Sequence, residues 1–391
     1  MLRALQIAAF MAVAITIVAA VHVFFWLRLV RDPALPAPWR AVSTVAMIVL
    51  AASLPLSFPL SRALPMRAAK ITLFPVYTWM GIMFLLFSVL VTAEGLRIAL
   101  SIGRSALGGT PPDPERRVFL ARLLAGAAVA VAGGAGALAV RAGLSRIAVR
   151  ELEVPLSRLP RELDGTVVVQ LTDLHVGPIL GRSFVEEVVS LVNALAPDLV
   201  VLTGDLADGS VARLAAVTAP LANLRARYGV FFVTGNHEYY SGADEWLAEV
   251  SRLGMRTLRN ERVTIGDGRA SFDLAGVDDW NADGMAPGHG HDLARAVAGR
   301  DPSRELVLLA HQPRAIYDAA HHGVGLQLSG HTHGGQLWPF SYLVRLQQPF
   351  VAGLARIRGT TLYVSRGTGF WGPPMRLGAP AEVTRIVLRA A

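Results

Sequence analysis

The first part of the chain consists largely of long apolar runs without any formally charged residue. The first of these runs lies between Arg3 and Arg28 and contains 24 residues. As a helix it would be about 36 Å long, enough to cross the ~30 Å hydrocarbon core of a bilayer. Together with two later runs it predicts three membrane-spanning helices, at about residues 4–27, 41–61 and 71–93.

A fourth apolar segment, residues 123–140, is rich in Ala, Gly and Val and only marginally long and hydrophobic for a span. The run Arg116–Arg122 before it, RRVFLAR, resembles a twin-arginine export signal, although an ordinary basic helix flank would look the same. The sequence leaves open whether this segment crosses the membrane, lies at its surface, packs in a core or belongs to such a signal. We therefore predict an all-α transmembrane region of three to four helices over residues 1–150.

Beyond a linker that ends near Pro160, short β-rich runs alternate with amphipathic helical stretches. This alternation predicts an α/β domain, which we assign to residues 151–391. The predicted helices cover residues 183–195 and 211–227. The predicted strands cover residues 166–172, 199–202, 230–233, 270–275, 306–309, 325–328, 361–364 and 383–388.

Composition and charge support this division of the chain. Hydrophobic residues make up 53% and charged residues only 17%, which indicates that part of the chain lies in lipid. Residues 1–150 contain 15 Lys and Arg against 4 Asp and Glu, whereas the remainder contains 22 against 25. The basic net charge of +8 therefore belongs to the membrane region, and we expect no binding of nucleic acid. The chain has no Cys, which excludes disulfides, thiol nucleophiles and Cys-ligated metals.

Nearly every conspicuous Asp, Asn and His of the second part follows a predicted strand. Ligand sites in α/β sheets gather at the carboxyl ends of strands. Burying so many of these groups without a metal would leave charges uncompensated at a large cost in free energy, so the pattern predicts a metal centre. The five clusters are Asp173-Leu174-His175, Gly204-Asp205 with Asp208, Gly235-Asn236-His237-Glu238, His311, and Gly330-His331-Thr332-His333.

These clusters follow in order the pattern D-x-H, G-D-x-x-D, G-N-H-[DE], H and G-H-x-H. Over about residues 165–388 the chain resembles the calcineurin-like metallophosphoesterases, which carry this pattern. The run Gly367–Pro374 with Arg376 resembles the membrane-attached bacterial branch of that family. The resemblance implies a four-layer αββα sandwich with a two-metal centre at its strand ends.

The resemblance also implies a role for each motif residue. His237 would lie beside the phosphate as the general acid for the leaving oxygen, and Asp208 would orient it. Two divalent ions would bind, and mixed Asp, His and Asn ligands suit Mn, Fe or Zn. The implied ligands are Asp173, His175 and His333 for the first ion, Asn236, His311 and His331 for the second, and Asp205 as the bridge.

The function implied is a membrane-anchored phosphoesterase in which a metal-bound hydroxide attacks a phosphodiester or pyrophosphate. The substrate is left open between lipid-linked phosphoesters and soluble phosphomonoesters or phosphodiesters, and a non-catalytic membrane sensor or scaffold is the alternative from another class. Loop charges do not decide the topology, whereas the twin-arginine-like run favours an integral membrane protein with its catalytic domain on the extracytoplasmic side.

Other polar residues are expected to lie outside the core site. His289 and His291 stand in a Gly- and Pro-rich loop, where a solvated or capping role is favoured. Asp278 and Asp279 follow a strand and would form either a pocket wall or an exposed turn. Arg376 would either clamp a phosphate or line the surface.

Overall fold

The computed structural model describes residues 2–108, 113–267 and 269–391 of the 391-residue chain. The chain divides into two compact units. One comprises Met1–Arg141 with Gly372–Met375, and the other comprises Ala142–Trp371 with Arg376–Ala391.

Four long helices make up most of the first unit. All four are long and apolar enough to cross a membrane, so the three predicted spans are confirmed as helices and residues 123–140 lie in a fourth. The twin-arginine-like run Arg116–Arg122 lies within the first turns of this fourth helix. The helices are α1 Leu2–Trp26, which continues as a π-helical turn Leu27–Arg31, α2 Ala37–Ala63, α3 Met66–Ala106 and α4 Pro114–Gly143.

Some polar side chains within this helical unit are paired with one another. The indole N–H of Trp26 donates to the Thr44 hydroxyl at 2.9 Å and so links α1 to α2. Beyond the end of α1, Arg28 forms an ion pair with Glu94 at 2.9 Å. By contrast, large apolar side chains such as Ile48, which is 63% exposed, point outward. Apolar outer faces with polar groups satisfied internally suit a lipid environment.

The second unit contains two six-stranded sheets. The first has the order β1-β12-β2-β3-β4-β5, and the second has the order β10-β11-β9-β8-β7-β6. The first sheet consists of β1 Ala148–Leu156, β2 Val167–Leu171, β3 Leu199–Thr203, β4 Val230–Val233, β5 Arg256–Thr257 and β12 Glu382–Ala390. The second consists of β6 Glu261–Gly266, β7 Ser271–Gly276, β8 Leu306–Leu309, β9 Leu326–Ser329, β10 Gly353–Ile357 and β11 Thr360–Val364.

All eight predicted strands are present with their ends shifted by two residues at most. The linker expected up to Pro160 is wrong, because Ala148–Leu156 forms an edge strand parallel to β12. Leu152, Val154 and Leu156 alternate with Glu151 and Glu153 and pack toward the core, which is a strand signal that sequence reasoning overlooked. The helix predicted over residues 211–227 ends at Thr218 and is followed by a 3₁₀ segment.

Helices cover the outer faces of the two sheets, and the inner faces form one apolar core. Val201 and Phe231 from the first sheet share this core with Leu274 and Leu309 from the second. On the outer faces lie α5 Arg182–Ala194 and α6 Val211–Thr218 for the first sheet, and α9 Leu293–Val297 and α10 Ile316–His321 for the second. The four-layer αββα sandwich is thereby confirmed. The remaining helices of the unit are α7 Asn236–Ser241, α8 Ala243–Arg252 and α11 Ser341–Val344.

Candidate metal centre

Three side chains that follow β2 and β9 form the first candidate metal site. Asp173, His175 and His333 are buried, and their ligand atoms lie within 4.8 Å of one another. The Nε2 atoms of the two histidines are 3.0 Å apart, and Nε2 of His333 lies 3.3 Å from Oδ1 of Asp173. One carboxylate and two imidazoles facing a common point are a typical donor set for a divalent transition metal.

A second candidate site consists of Asp205, His311 and His331, which follow β3, β8 and β9. Oδ2 of Asp205 lies 3.2 Å from Nε2 of His311. The same oxygen lies 3.7 Å from Nε2 of His175 in the first site. The carboxylate of Asp205 therefore faces both clusters, which is the position that a bridging ligand requires.

Asn236, at the start of α7, is the one expected ligand that is neither carboxylate nor imidazole. Its side chain is buried, and its amide oxygen Oδ1 has no hydrogen-bond partner within the described part of the chain. A buried acceptor in this state costs about 1–3 kcal/mol. A cation bound to this oxygen would remove that cost, so the residue fits the metal centre implied by the motif.

Five of the seven candidate ligands have a strained, left-handed backbone conformation. Asp173, His175, Asp205, His331 and His333 all have positive φ values, between 47° and 70°. Residues other than glycine seldom adopt this conformation, and such strain gathers at functional sites. The neighbouring Gly204 has φ +89°, and a Cβ there would lie 2.6 Å from Nδ1 of His311. Each turn therefore directs its side chain toward the centre, and the stability of the surrounding fold offsets the backbone strain.

Burial and neighbouring charges shift the pKa values of the centre in different directions. Burial raises the pKa of Asp173. Burial acts on Asp205 in the same direction, but the imidazoles of His311 and His237 outweigh it and hold the pKa of Asp205 well below its usual range. Burial and the nearby His311 lower the pKa of His331 to about 3. At neutral pH His331 is thus a neutral nitrogen donor beside a carboxylate, as metal coordination requires.

His237 and Asp208 form a pair beside the two clusters. Nδ1 of His237 lies 2.6 Å from Oδ1 of Asp208, which also lies 3.0 Å from Nδ1 of His175. The backbone N–H of His237 donates to Oδ1 of Asp205 at 2.9 Å. Burial alone would lower the pKa of His237, but Asp205 and Asp208 raise it to about 9. The imidazole is therefore oriented by its partners and protonated at neutral pH.

Two aromatic side chains flank His237 at the rim of the centre. The rings of Tyr240 and Trp371 lie 5.2 and 5.6 Å from the His237 ring, both close to edge-on. These side chains are 60% and 54% exposed. Sequence reasoning assigned neither residue a role at the site, although Trp371 stands within the run Gly367–Pro374 that resembles the membrane-attached branch.

Glu238 is a further residue of the centre to which sequence reasoning assigned no role. It is fully buried, and its carboxylate accepts hydrogen bonds from the backbone N–H groups of Gly235, Asp205 and Leu206 at 2.6, 3.0 and 2.8 Å. Burial and the neighbouring Asp205 raise its pKa to about 7. The available signal was an acidic residue at the third position of a short helix, as in a capping box. Glu238 joins the loop of Asp205 to the loop of Asn236.

The solvated role expected for His289 is wrong. His289 is buried, with Nδ1 3.2 Å from the Tyr239 hydroxyl and Nε2 3.0 Å from Asp244. The exposed turn considered for Asp278 and Asp279 is also wrong, because both are 1% exposed. Asp279 accepts from the Gln312 side chain at 3.1 Å, and Asp278 is paired with an arginine. Long-range partners bury these groups, and local sequence does not reveal such partners.

Arg376 takes neither of the two roles expected for it. Its guanidinium is 1% exposed and donates to the backbone carbonyls of His333, Arg366 and Gly369. Burial lowers its pKa to about 10. Instead of binding a phosphate or lining the surface, Arg376 fixes the loop that carries His333.

Comparisons with known proteins agree with this geometry. The family model described as calcineurin-like phosphoesterase matches residues 166–335. The chain is 45% identical over 255 residues to "Transmembrane protein with metallophosphoesterase domain" from Bos taurus, and the match covers 62% of this chain and 57% of that protein. It is 34% identical to an uncharacterized metallophosphoesterase from Aquifex aeolicus over 62% of this chain and 91% of the other. The uncharacterized metallophosphoesterase YkuE from Bacillus subtilis is 30% identical to this chain, and the match covers 71% of this chain and 98% of that protein.

Proposed function

Because this chain belongs to the calcineurin-like phosphoesterase family, we propose that it is a membrane-anchored hydrolase of phosphodiester or pyrophosphate bonds that uses two divalent metal ions. The observation that carries this proposal is the position of Asp205, whose carboxylate faces two separate clusters of ligand atoms. The chain spans 57% of the length of the Bos taurus relative that it matches.

We assign the ligands to the two ions as the clusters suggest. Supporting observations are the two groups of converging His and Asp atoms and the unsatisfied oxygen of Asn236. When bound, the ions supply Lewis acidity toward the phosphoryl group and the attacking water. The assigned ligands are Asp173, His175 and His333 for the first ion and Asn236, His311 and His331 for the second, with Asp205 shared.

His237 is proposed to protonate the leaving oxygen. Its Nδ1 is held by Asp208, so Nε2 is the ring nitrogen left to face a substrate. Asp208 also contacts His175, which couples the orientation of the acid to that of a ligand of the first ion. In this assignment Asp208 is a positioning residue and His237 is a catalytic residue.

The proposed substrate is lipid-linked, because the four apolar helices hold the domain at the bilayer, where amphipathic phosphoesters are concentrated. The twin-arginine-like run Arg116–Arg122 supports an extracytoplasmic position of the domain. The absence of Cys from the chain gives a direct test. A single cysteine introduced by Ala294→Cys, at an exposed position of α9, should react with an impermeant maleimide in intact cells; reaction only after lysis would place the domain inside.

We expect His237→Ala to retain two ions per chain and to lose activity according to the leaving group. With an alkyl leaving group the rate should fall by about 10²–10³-fold, since the alkoxide needs a proton. With p-nitrophenolate, which leaves without one, the loss should be much smaller. Elemental analysis would measure the bound metal, and parallel assays of bis-p-nitrophenyl phosphate, p-nitrophenyl phosphate and a phosphodiester that carries only alkyl groups, with Mn supplied, would measure the dependence on the leaving group. A lipid pyrophosphate and a soluble pyrophosphate, whose cleavage releases a phosphate rather than an alkoxide, would be assayed beside them for the substrate class.

His321→Ala, at an exposed position at the end of α10, is the matched control. It should change neither the number of bound ions nor the rate with any substrate. Equal losses on both kinds of substrate would remove the general-acid role from His237. A wild-type chain that binds no metal and hydrolyses none of the substrates would instead support the sensor or scaffold alternative. A kcat/KM for the lipid pyrophosphate no higher than that for a soluble pyrophosphate would reject lipid specificity.

A further inference from the structure

The second unit carries an exposed apolar segment, Trp338–Leu346, shortly after the last pair of candidate ligands. Four of its large side chains lie mostly in solvent: Trp338 is 57% exposed, Tyr342 60%, Leu343 51% and Leu346 81%. The short helix α11 within the segment buries none of its residues. Contiguous exposed apolar side chains of this kind mark interaction surfaces.

Both ends of this segment are fixed to the fold. At its start the backbone N–H of Trp338 donates to the carbonyl of Leu377 at 2.9 Å. Just after its end, the buried side chain of Gln348 donates to Gln312 at 3.0 Å and accepts from the backbone N–H of Arg314 at 3.2 Å. Hydrogen bonds therefore fix both ends of the segment, while its apolar side chains remain exposed to solvent.

The segment also lies next to the metal centre. The hydroxyl of Thr332, which stands between His331 and His333, donates to the carbonyl of Val351 at 2.6 Å. The chain thus leaves the ligand loop, forms the exposed segment and returns to the same loop within 20 residues. Whatever binds the segment is brought to the rim of the centre.

The charge of this region identifies the kind of partner. Residues 319–381 contain five Arg and no Asp, Glu or Lys, although residues 151–391 as a whole have 22 basic against 25 acidic residues. Of the five, Arg345, Arg356 and Arg358 are exposed, and none of these three forms an ion pair with a described residue. Arg345 lies within the segment, and exposed Trp, Tyr and Leu side chains with an exposed cation among them are typical of surfaces that insert into an anionic membrane interface.

We propose that the Trp338–Leu346 segment docks on the surface of an anionic lipid bilayer. Trp338 and Tyr342 would lie at the headgroup level, Leu346 would enter the acyl boundary, and Arg345 would meet lipid phosphates. The chain itself keeps a bilayer within reach, because only four residues separate the end of α4 at Gly143 from the start of β1 at Ala148. This surface goes beyond the proposed hydrolysis and does not depend on it.

The Cys-free chain allows a test on the full-length protein. Leu346→Cys, labelled with an environment-sensitive fluorophore, would be compared with Ala294→Cys in nanodiscs of roughly three parts phosphatidylcholine to one part phosphatidylglycerol. The label at position 346 should emit at shorter wavelength and lose about half or more of its intensity when doxyl-labelled lipids are included, whereas the label at 294 should not change. Replacing phosphatidylglycerol by phosphatidylcholine, or introducing Arg345→Gln, should weaken the quenching.

Tyr342→Cys is a second labelling site in case Leu346→Cys disturbs the segment, and it should give the same result. Equal solvent exposure of the labels at 294, 342 and 346 would overturn the proposal. A label that shifts to shorter wavelength without quenching by lipid would also overturn it, since protein, such as a second copy, would then cover the segment. Because no hydrolysis is measured, an inactive enzyme would leave these outcomes unchanged.

Discussion

Asp205→Ala should abolish hydrolysis, with a loss of roughly 10³-fold or more, and should leave the purified chain with fewer than two bound ions. The carboxylate is 3.2 Å from Nε2 of His311 and 3.7 Å from Nε2 of His175, so one substitution removes a ligand from both candidate sites. The substitution also removes the acceptor for the backbone N–H of His237. Among the described carboxylates, only that of Asp205 lies close to an imidazole of each cluster.

Metal content after gel filtration and the rate with bis-p-nitrophenyl phosphate, measured on the same preparation, would check this expectation. Asp283→Ala, at an exposed position of the same unit, should keep both values at the wild-type level. An unchanged thermal unfolding profile of the metal-free proteins would show that Asp205→Ala still folds. A folded Asp205→Ala protein that retains two ions and most of its activity would contradict the bridging assignment and with it the dinuclear mechanism.

The site was predictable because its signals are local. Each expected ligand follows a short buried strand. The ends of β2, β3, β8 and β9 bring the expected Asp and His ligands together, and Asn236 follows β4. The sequence shows the polar residue that follows each strand, even though it does not show which strands pair with one another. The same reasoning identified the apolar spans, because a long run of apolar residues without a charge is also visible locally in the sequence.

The features that sequence reasoning missed depend on distant partners. Arg376 resembles a surface cation in the sequence, yet backbone carbonyls from three separate positions enclose its guanidinium. His289 stands in a loop of Gly and Pro, but Tyr239 and Asp244 bury it. Strand β1 is different, because Leu152, Val154 and Leu156 alternate with polar residues and give a local signal, whereas its pairing with β12 joins residues more than 200 positions apart. For Arg376 and His289 the contacts that bury the side chain include residues more than 40 positions away.

Glu238→Ala should weaken metal binding at the second site by about 10–100-fold and lower the thermal unfolding midpoint, although Glu238 is not a candidate ligand. Its carboxylate accepts three buried backbone N–H groups, and losing it would leave each without an acceptor at about 1–3 kcal/mol. Two of these groups belong to Asp205 and Gly235, so the loops that carry Asp205 and Asn236 would lose their common acceptor. Titration of the metal-free protein with Mn, followed by activity, would measure the shift in affinity.

Glu305→Ala is the matched control, because Glu305 is also 1% exposed and accepts from Arg158 and from the backbone of Leu306. It precedes β8, whereas His311 follows that strand, so its loss should lower the unfolding midpoint without changing metal affinity. Glu238→Gln keeps one acceptor oxygen but turns an amide N–H₂ toward a backbone donor, and its metal affinity should fall between wild type and Glu238→Ala. If Glu238→Ala and Glu305→Ala lower stability alike and both keep wild-type metal affinity, Glu238 supports only the fold. If affinity falls only in the Glu238 variants, this carboxylate positions the ligand loops of both Asp205 and Asn236.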